Sequence, residues 1–417
     1  MTRLLRLLRR PAAGAVAGQV TQAVAGLVLS VAAARWLGAA GLATFSLVYG
    51  LVVLVTAVVS GLVGDSLTVL DRSDPRIRAA LHVWAVGISS AAGLAGGALA
   101  AATGLLPGWA AAVLGLAVTA FVLEDTLRRL LMAIGRFWVL PAVDCTGLLL
   151  AVGALAGCAL TGPLTLASFA LALLVGQAGA AAVAWWLVPP AERPRGPWRA
   201  PDLGAVWGFG IWRAGAQTVR PALLTGLRLV VVAAAGAAAY GPLEAARVYT
   251  APVLVVVTGL GSFLLPHYVA TRGRPPAEQL RAADRAVAAL AGAVAALGVL
   301  TLAGQPVAEP LLTGGAYTVP VAAVVGWSGY AVASAVLLPY SALATVHGRQ
   351  RRVLALRLLE FAGLAAVCAL VVGVDGAQVW APLALAVGPL LVAVAVRQTV
   401  LRPLSAPVVA RPEPVAA

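Results

Sequence analysis

The chain has 417 residues, 61% of them hydrophobic and 11% charged, with a mean hydropathy of +0.97. A globular domain is nearer half apolar and a quarter charged, so a water-soluble fold would lack the polar surface to cover itself. The net charge of +14 rests on arginine with no lysine; the arginines sit in short clusters between apolar runs rather than in one basic domain, which argues against a nucleic-acid partner.

At the start of the chain Arg3, Arg6, Arg9 and Arg10 precede an apolar run from Pro11 to Ala34. The outline is that of a signal peptide. The run exceeds the roughly seven to fifteen residues of an h-region, however, and we read it as an uncleaved first span. Crossing a bilayer takes roughly 20 apolar residues. Twelve stretches qualify, at 12–34, 42–64, 79–103, 109–127, 138–160, 164–188, 212–234, 242–266, 286–304, 317–341, 353–374 and 379–397. The expected fold is therefore an all-α polytopic membrane protein. Trp36, Trp84, Trp109, Trp138, Trp185, Trp186, Trp212 and Trp380 fall near span ends, where amphipathic rings favour the interface. Cys145, Cys158 and Cys368 lie in apolar runs without CxxC spacing and read as small buried hydrophobes.

Loop charge sets the orientation. Alternate connections carry Arg72, Arg76 and Arg78; Arg128, Arg129 and Arg136; Arg193, Arg195 and Arg199; Arg272, Arg274 and Arg281; and Arg349, Arg351 and Arg352. Arg402 and Arg411 follow the last span, whereas the intervening turns hold Arg35 and little else. By the positive-inside pattern both termini are cytoplasmic. The longest outer loop expected is Leu302–Thr318, too short for a folded domain. The Pro- and Arg-rich inner segment 191–203 divides a six-span lobe (1–190) from a second (204–400), with a cytoplasmic tail at 401–417.

The two lobes read as repeats. A shift of 200 places Gly26 on Gly226, Leu27 on Leu227, Gly41 on Gly241, Val48-Tyr49 on Val248-Tyr249 and Gly61 on Gly261. Six spans per half makes the repeat parallel, an arrangement that puts a substrate site between the halves.

An ionisable residue at mid-membrane costs about 2.5–3.5 kcal/mol, so each is a candidate for function. The seventh span holds most of them: Arg213, Gln217, Arg220 and Arg228 share one helix face. Arg213 is close enough to the inner headgroups to snorkel, whereas Arg220 and Arg228 are not. Two readings stand: structural pairing with carboxylates or carbonyls, or a cationic path for an anionic substrate, phosphate above all because the guanidinium fork binds two oxygens. On the first span, Gln19, Gln22, Gly26 and Ser30 form a weaker stripe, which either lets helices pack closely or hydrogen-bonds sugar hydroxyls. Asp65 at the inner end of the second span faces Arg213 as a possible gate. Glu244 and Arg247 open the eighth span three residues apart, with Pro242 in its first turn. Glu124–Arg128 and Asp125–Arg129 are spaced as helix-end pairs. Asp144 is either a proton- or ion-linked carboxylate or a partner for Arg128 or Arg136. No HExxH, GxSxG or Walker-type loop is present; we expect no catalytic residue, metal or cofactor, and not an enzyme.

Further motifs carry a family resemblance: Ala34-Arg35-Trp36-Leu37-Gly38 with Gly41, Phe45 and Tyr49; Tyr240-Gly241 with Glu244-Ala245-Ala246-Arg247; Asp125 and Arg128 with Arg136 and Asp144; and Leu311-Leu312 with Gly314-Gly315 and Tyr317. In these the chain resembles the multidrug/oligosaccharidyl-lipid/polysaccharide exporter superfamily, in its polysaccharide or O-antigen flippase branch. The resemblance implies two six-helix lobes around a central cavity lined by spans one, two, seven and eight, working by alternating access in a bacterial cytoplasmic membrane. It implies a polyprenyl-diphosphate-linked glycan as cargo, with Arg213, Arg220 and Arg228 toward the diphosphate and Gln19, Gln22 and Gln217 toward the sugars. Asp65, Asp144, Glu244 and Arg247 would serve gating or coupling, and membrane lipids and glycan-assembly enzymes would be partners. The lipid II flippase relatives have fourteen spans to the twelve here, and the first span lacks the acidic cluster of drug-exporting relatives. A cation-coupled drug exporter of the same superfamily is the alternative, and a membrane polysaccharide polymerase or ligase a more distant one.

Overall fold

A computed structural model describes residues 11–193 and 200–405. The expectations that rest on Arg3, Arg6, Arg9, Arg10, Arg195, Arg199 and Arg411, on much of the inner linker and on most of the tail lie outside the described residues. Twelve helices follow in order: α1 (Pro11–Trp36), α2 (Gly38–Val69), α3 (Pro75–Ala102), α4 (Gly108–Ala133), α5 (Leu140–Thr161), α6 (Leu166–Leu187), α7 (Leu203–Ala235), α8 (Ala237–Ala270), α9 (Pro276–Thr313), α10 (Val321–Val346), α11 (Arg351–Gly373) and α12 (Ala377–Leu404). Among the described residues eleven are long and apolar enough to cross a membrane, and α8 runs for 34 residues. Their outward faces carry apolar side chains such as Leu94, Leu160 and Val372, each more than 70% exposed. Such a surface is tolerated in hydrocarbon and not in water. The same solvent explains the cysteines: Cys145 is exposed and Cys158 and Cys368 half-buried, not enclosed as expected.

Several helices overrun their expected spans. The side chain of Asp202 caps α7 by accepting from the Ala205 amide at 3.0 Å, so the helix starts at Leu203 instead of residue 212. Helix α9 continues through Pro306 and Pro310 to Thr313, which shortens the expected outer loop Leu302–Thr318 to Gly314–Pro320. Proline breaks helices in water by removing a donor and crowding the carbonyl four residues back. In a membrane the helix persists, because neighbouring helices and local adjustments re-satisfy the freed groups. Helix α8 begins at Ala237, so Pro242 lies beyond its first turn. The hairpins α1–α2 and α7–α8 both turn through one residue and use a glycine with positive φ, Gly38 (68°) and Gly236 (85°). These are conformations from which a Cβ is repelled. The two turns lie about 200 residues apart, as the proposed repeat requires.

The chain forms two compact units. One runs to Tyr249 and includes Pro306–Pro320; the other comprises Thr250–Gln305 and the residues from Val321 onward. In the first, helix pairs meet at small residues, which let backbones approach closely. A Cβ on Gly93 would lie 2.5 Å from the Gly115 carbonyl oxygen (α3 on α4), and one on Gly176 2.7 Å from that of Gly147 (α6 on α5). Helix α7 lies along α2, where a Cβ on Gly61 would stand 2.3 Å from Ala214 Cα, and one on Gly210 2.4 Å from the Leu62 carbonyl oxygen. Here α2 takes a π-helical turn, Ser60–Gly64. In the second unit α10 packs on α12 beside Gly326, and α11 meets α12 where a Cβ on Gly388 would reach 2.3 Å from the Glu360 carbonyl oxygen. Asp284 of α9 ties this unit together: it accepts two bonds of 2.9 Å from Arg397, which opens a π-helical turn of α12, and one of 2.7 Å from the Tyr340 hydroxyl on α10.

Two glycines of the α2–α7 contact region separate packing from propensity. Gly61→Ala should lower the unfolding temperature in detergent, at a cost of about 1–3 kcal/mol from overpacking. Gly215→Ala, whose Cβ meets nothing within 4 Å, should leave it equal or raise it by up to about 1 kcal/mol from helix propensity. Equal shifts of the same sign would contradict the close approach.

Candidate functional site

The first unit buries an ionic network where α4 ends. Glu124, Asp125 and Arg128 are each no more than 5% exposed, because α4 runs between α3, α5, α6 and α2. Arg128 does not pair with Glu124 as helix spacing suggested. Its Nε donates to Asp144 of α5 at 3.1 Å and its Nη2 to Asp144 at 3.3 Å and to the Gly18 carbonyl of α1 at 2.9 Å. The Thr21 hydroxyl donates to the same carboxylate at 2.9 Å. Asp144 is thus the structural partner of Arg128, one of its two expected roles, and it joins α1, α4 and α5. Asp125 keeps its expected pair with Arg129 (2.7 Å) and accepts from Ser60 in the π-helical turn of α2 at 2.8 Å.

These pairings leave Glu124 alone. Its Oε1 is buried and has no hydrogen-bond partner. The side chain lines a cavity of about 60 Å³ together with Gln22, Tyr49, Asp144 and Gln177, room for a few waters at most. Gln22 thus faces carboxylates, a position that the polar stripe of the first span did not reveal. Gln19 is exposed.

A second network sits near the outer ends of α2, α7 and α8. Arg228, 5% exposed, donates to Ser46 at 3.2 Å and lies 3.5 Å from Glu244. Glu244, 1% exposed, also accepts from Arg247 at 2.6 Å and from the Tyr240 hydroxyl at 2.6 Å. Thr225 donates to the Gly50 carbonyl at 3.3 Å, and a Cβ on Gly50 would lie 2.5 Å from an Arg228 nitrogen. Arg228, expected to meet cargo, is already occupied; to bind an anion it would have to leave both Glu244 and Ser46. Two guanidiniums on one carboxylate leave the cluster one positive charge in excess.

Elsewhere on α7 the stripe is open. Arg213 pairs with Asp65 at 2.8 Å, with half of the Arg213 side chain exposed. Gln217 is exposed. Arg220 is half-buried and has no hydrogen bond or ion pair to a described residue. It precedes Pro221 inside the helix, and the missing proline N–H leaves the Gln217 carbonyl without its usual donor. Sequence reasoning missed Glu124 as a lone carboxylate, because the four-residue spacing to Arg128 accounted for it. It also missed Gln177 and Asp284, whose partners are far away in the chain.

Removing one member of a buried pair costs about 3–5 kcal/mol, while an exposed pair contributes about 0–1 kcal/mol. Glu244→Gln, which removes the carboxylate shared by Arg228 and Arg247, should therefore lower stability by about 3–5 kcal/mol in denaturant titration, and Asp65→Asn by no more than about 1 kcal/mol.

No family model matches the chain, and no curated protein does. Its fold is nonetheless found in solved structures. The inward-facing conformation of a multidrug resistance MATE family transporter of the MOP superfamily aligns with a TM-score of 0.75 and 17% identity, over 92% of this chain and 94% of that one. The outward-facing conformation of such a transporter aligns at 0.64 and 16%, over 96% and 97%. A MOP superfamily transporter from Pyrococcus furiosus, described as having a binding pocket of reverse polarity that suggests a different function, aligns at 0.65 and 14%, over 94% of each chain. The chain has the all-α, multi-pass fold of MOP superfamily transporters.

Proposed function

We propose that the chain is a cation-coupled exporter that works by alternating access, with the proton as coupling ion and Glu124 as its carrier. The observation that carries this reading is the lone buried carboxylate. An ionised carboxyl without a partner costs several kcal/mol in a low-dielectric interior, so it takes up a proton or a cation. The proton is favoured because Asp125 and Asp144 are already paired, leaving Glu124 as the one carboxylate of this small cavity whose charge no arginine balances. Gln22, Tyr49 and Gln177 line the cavity beside it. Glu124 lies beside the Arg128–Asp144 pair that joins α1, α4 and α5, so a change in its charge bears on the packing of three helices. The MATE transporters of the same fold, described as multidrug resistance proteins, support the export reading, and the arginine distribution supports an orientation with both termini cytoplasmic.

Arg220 favours a second reading for the cargo, the lipid-linked saccharide. A half-buried arginine without a hydrogen bond or ion pair among the described residues suits a diphosphate, and glycan-assembly enzymes would then be neighbours. Gln217 on the same face suits sugar hydroxyls. Both readings share the fold and the coupling carboxylate and differ in what is carried.

The test is transport in proteoliposomes under an imposed pH gradient. Glu124→Gln should fold with nearly unchanged stability and lose gradient-driven export of a fluorescent amphipathic drug by at least tenfold; export at the normal rate would refute the coupling role. In parallel, Arg220→Gln should leave drug export intact. If the saccharide reading holds, the wild type flips a labelled polyprenyl-diphosphate sugar and Arg220→Gln flips it at least tenfold more slowly. Absence of flipping by the wild type contradicts that reading.

A further inference from the structure

The second unit contains a basic pocket that the proposed transport cycle does not use. It has a volume of about 540 Å³ and lies where α8 turns into α9, lined by Tyr268, Arg274, Glu278, Arg281 and Arg285 among others. The charge distribution places this turn at the cytoplasmic face.

Three observations point to a ligand. First, the pocket has an excess of positive charge. Arg274 and Arg285 have no ion pair among the described residues, and Arg281 uses Nε on the Ala277 carbonyl at 3.4 Å. Asp284 adds no free negative charge, since Arg397 and Tyr340 hold it; Glu278 is left against three arginines. Second, Arg281 and Arg285 stand one turn apart on the first turns of α9. Like charges at that spacing repel. That cost becomes a gain once an anion sits between them. Third, the Tyr268 hydroxyl is buried in a residue only 2% exposed and has no hydrogen-bond partner, although the side chain lines the pocket.

The pocket wall is held in place. Gln279, 3% exposed, donates from Nε2 to the carbonyls of Arg272 at 3.0 Å and Arg274 at 2.8 Å, and its Oε1 lies 2.9 Å from His347 Nε2. This clamps the α8–α9 turn and fixes the backbone that presents Arg274.

We infer that this pocket binds a phosphate-bearing anion, with guanidiniums from Arg281, Arg285 and Arg274 on the phosphate oxygens and the Tyr268 hydroxyl donating to one of them. Two sources supply that chemistry at a cytoplasmic membrane face: the headgroup of an inner-leaflet anionic lipid, and free phosphate.

The test uses the full-length chain in neutral detergent and reads binding by native mass spectrometry and thermal unfolding. It is titrated with phosphatidylglycerol in mixed micelles, with phosphatidylcholine as the zwitterionic control, and separately with inorganic phosphate against chloride at equal ionic strength. The wild type should bind phosphatidylglycerol or phosphate at least tenfold more tightly than its control. Arg281→Gln with Arg285→Gln should erase that preference. Tyr268→Phe should weaken it about fivefold, the effect of roughly one hydrogen bond, with the ligand-free unfolding temperature unchanged or raised. Phosphate that displaces the lipid identifies the soluble anion as the ligand; lipid binding that resists phosphate identifies the headgroup. A wild type with no preference for either anion, or a preference that survives in both variants, overturns the inference. Should the double variant fail to fold, Tyr268→Phe alone decides.

Discussion

A charge inside hydrocarbon has to be paired, and the interior of this protein is organised around that requirement. Removing an ion from water costs several kcal/mol, which a second ion offsets only with good geometry and further hydrogen bonds. Arg128 with Asp144, Arg228 and Arg247 with Glu244, and Arg397 with Asp284 each meet these terms, and each also takes a hydroxyl: Thr21, Tyr240 and Tyr340. Because Arg128 and Asp144, Arg228 and Glu244, and Arg397 and Asp284 come from different helices, satisfying these charges also fixes which helices touch. Apolar side chains cannot supply that selectivity in a bilayer, where lipid tails are as apolar as leucine.

Local irregularities bring the partners within reach. The π-helical turn of α2 carries Ser60 to Asp125, and the one in α12 opens with Arg397, which holds Asp284. Such turns are frequent at functional sites. Glycine plays the complementary part: Gly50 leaves the space that Arg228 fills, and Gly61 lets α7 come against α2. Against this background Glu124 and Arg220 stand out, one anionic and one cationic group with no hydrogen bond or ion pair among the described residues. The first is suited to an exchangeable proton, the second to cargo.

Much of the fold was legible in the sequence. Apolar length located the helices, eleven of them long and apolar enough among the described residues to cross a membrane against the twelve spans expected, because that length follows from the bilayer and depends little on tertiary detail. Helix ends were less legible: Pro306 and Pro310 read as breakers, yet α9 passes through them. Of the site, local spacing recovered Asp125–Arg129 and Glu244–Arg247, and helix-end position recovered Asp65–Arg213. It failed for Glu124–Arg128, where a distant carboxylate, Asp144, outcompetes the near one. No local rule exposes such competition, since its outcome depends on which helix α5 leans against. The same limit hid the Asp284–Arg397 pair, whose members are 113 residues apart.

The cargo assignment and the coupling assignment rest on different residues and stand or fall separately. The central claim is that Glu124 carries the exchangeable proton. Infrared difference spectroscopy across a pH titration tests this most directly. The account predicts one protonated-carboxyl band that titrates, is lost in Glu124→Gln and persists in Asp65→Asn. A spectrum with no titrating carboxyl, or a band unaffected by Glu124→Gln, would contradict it.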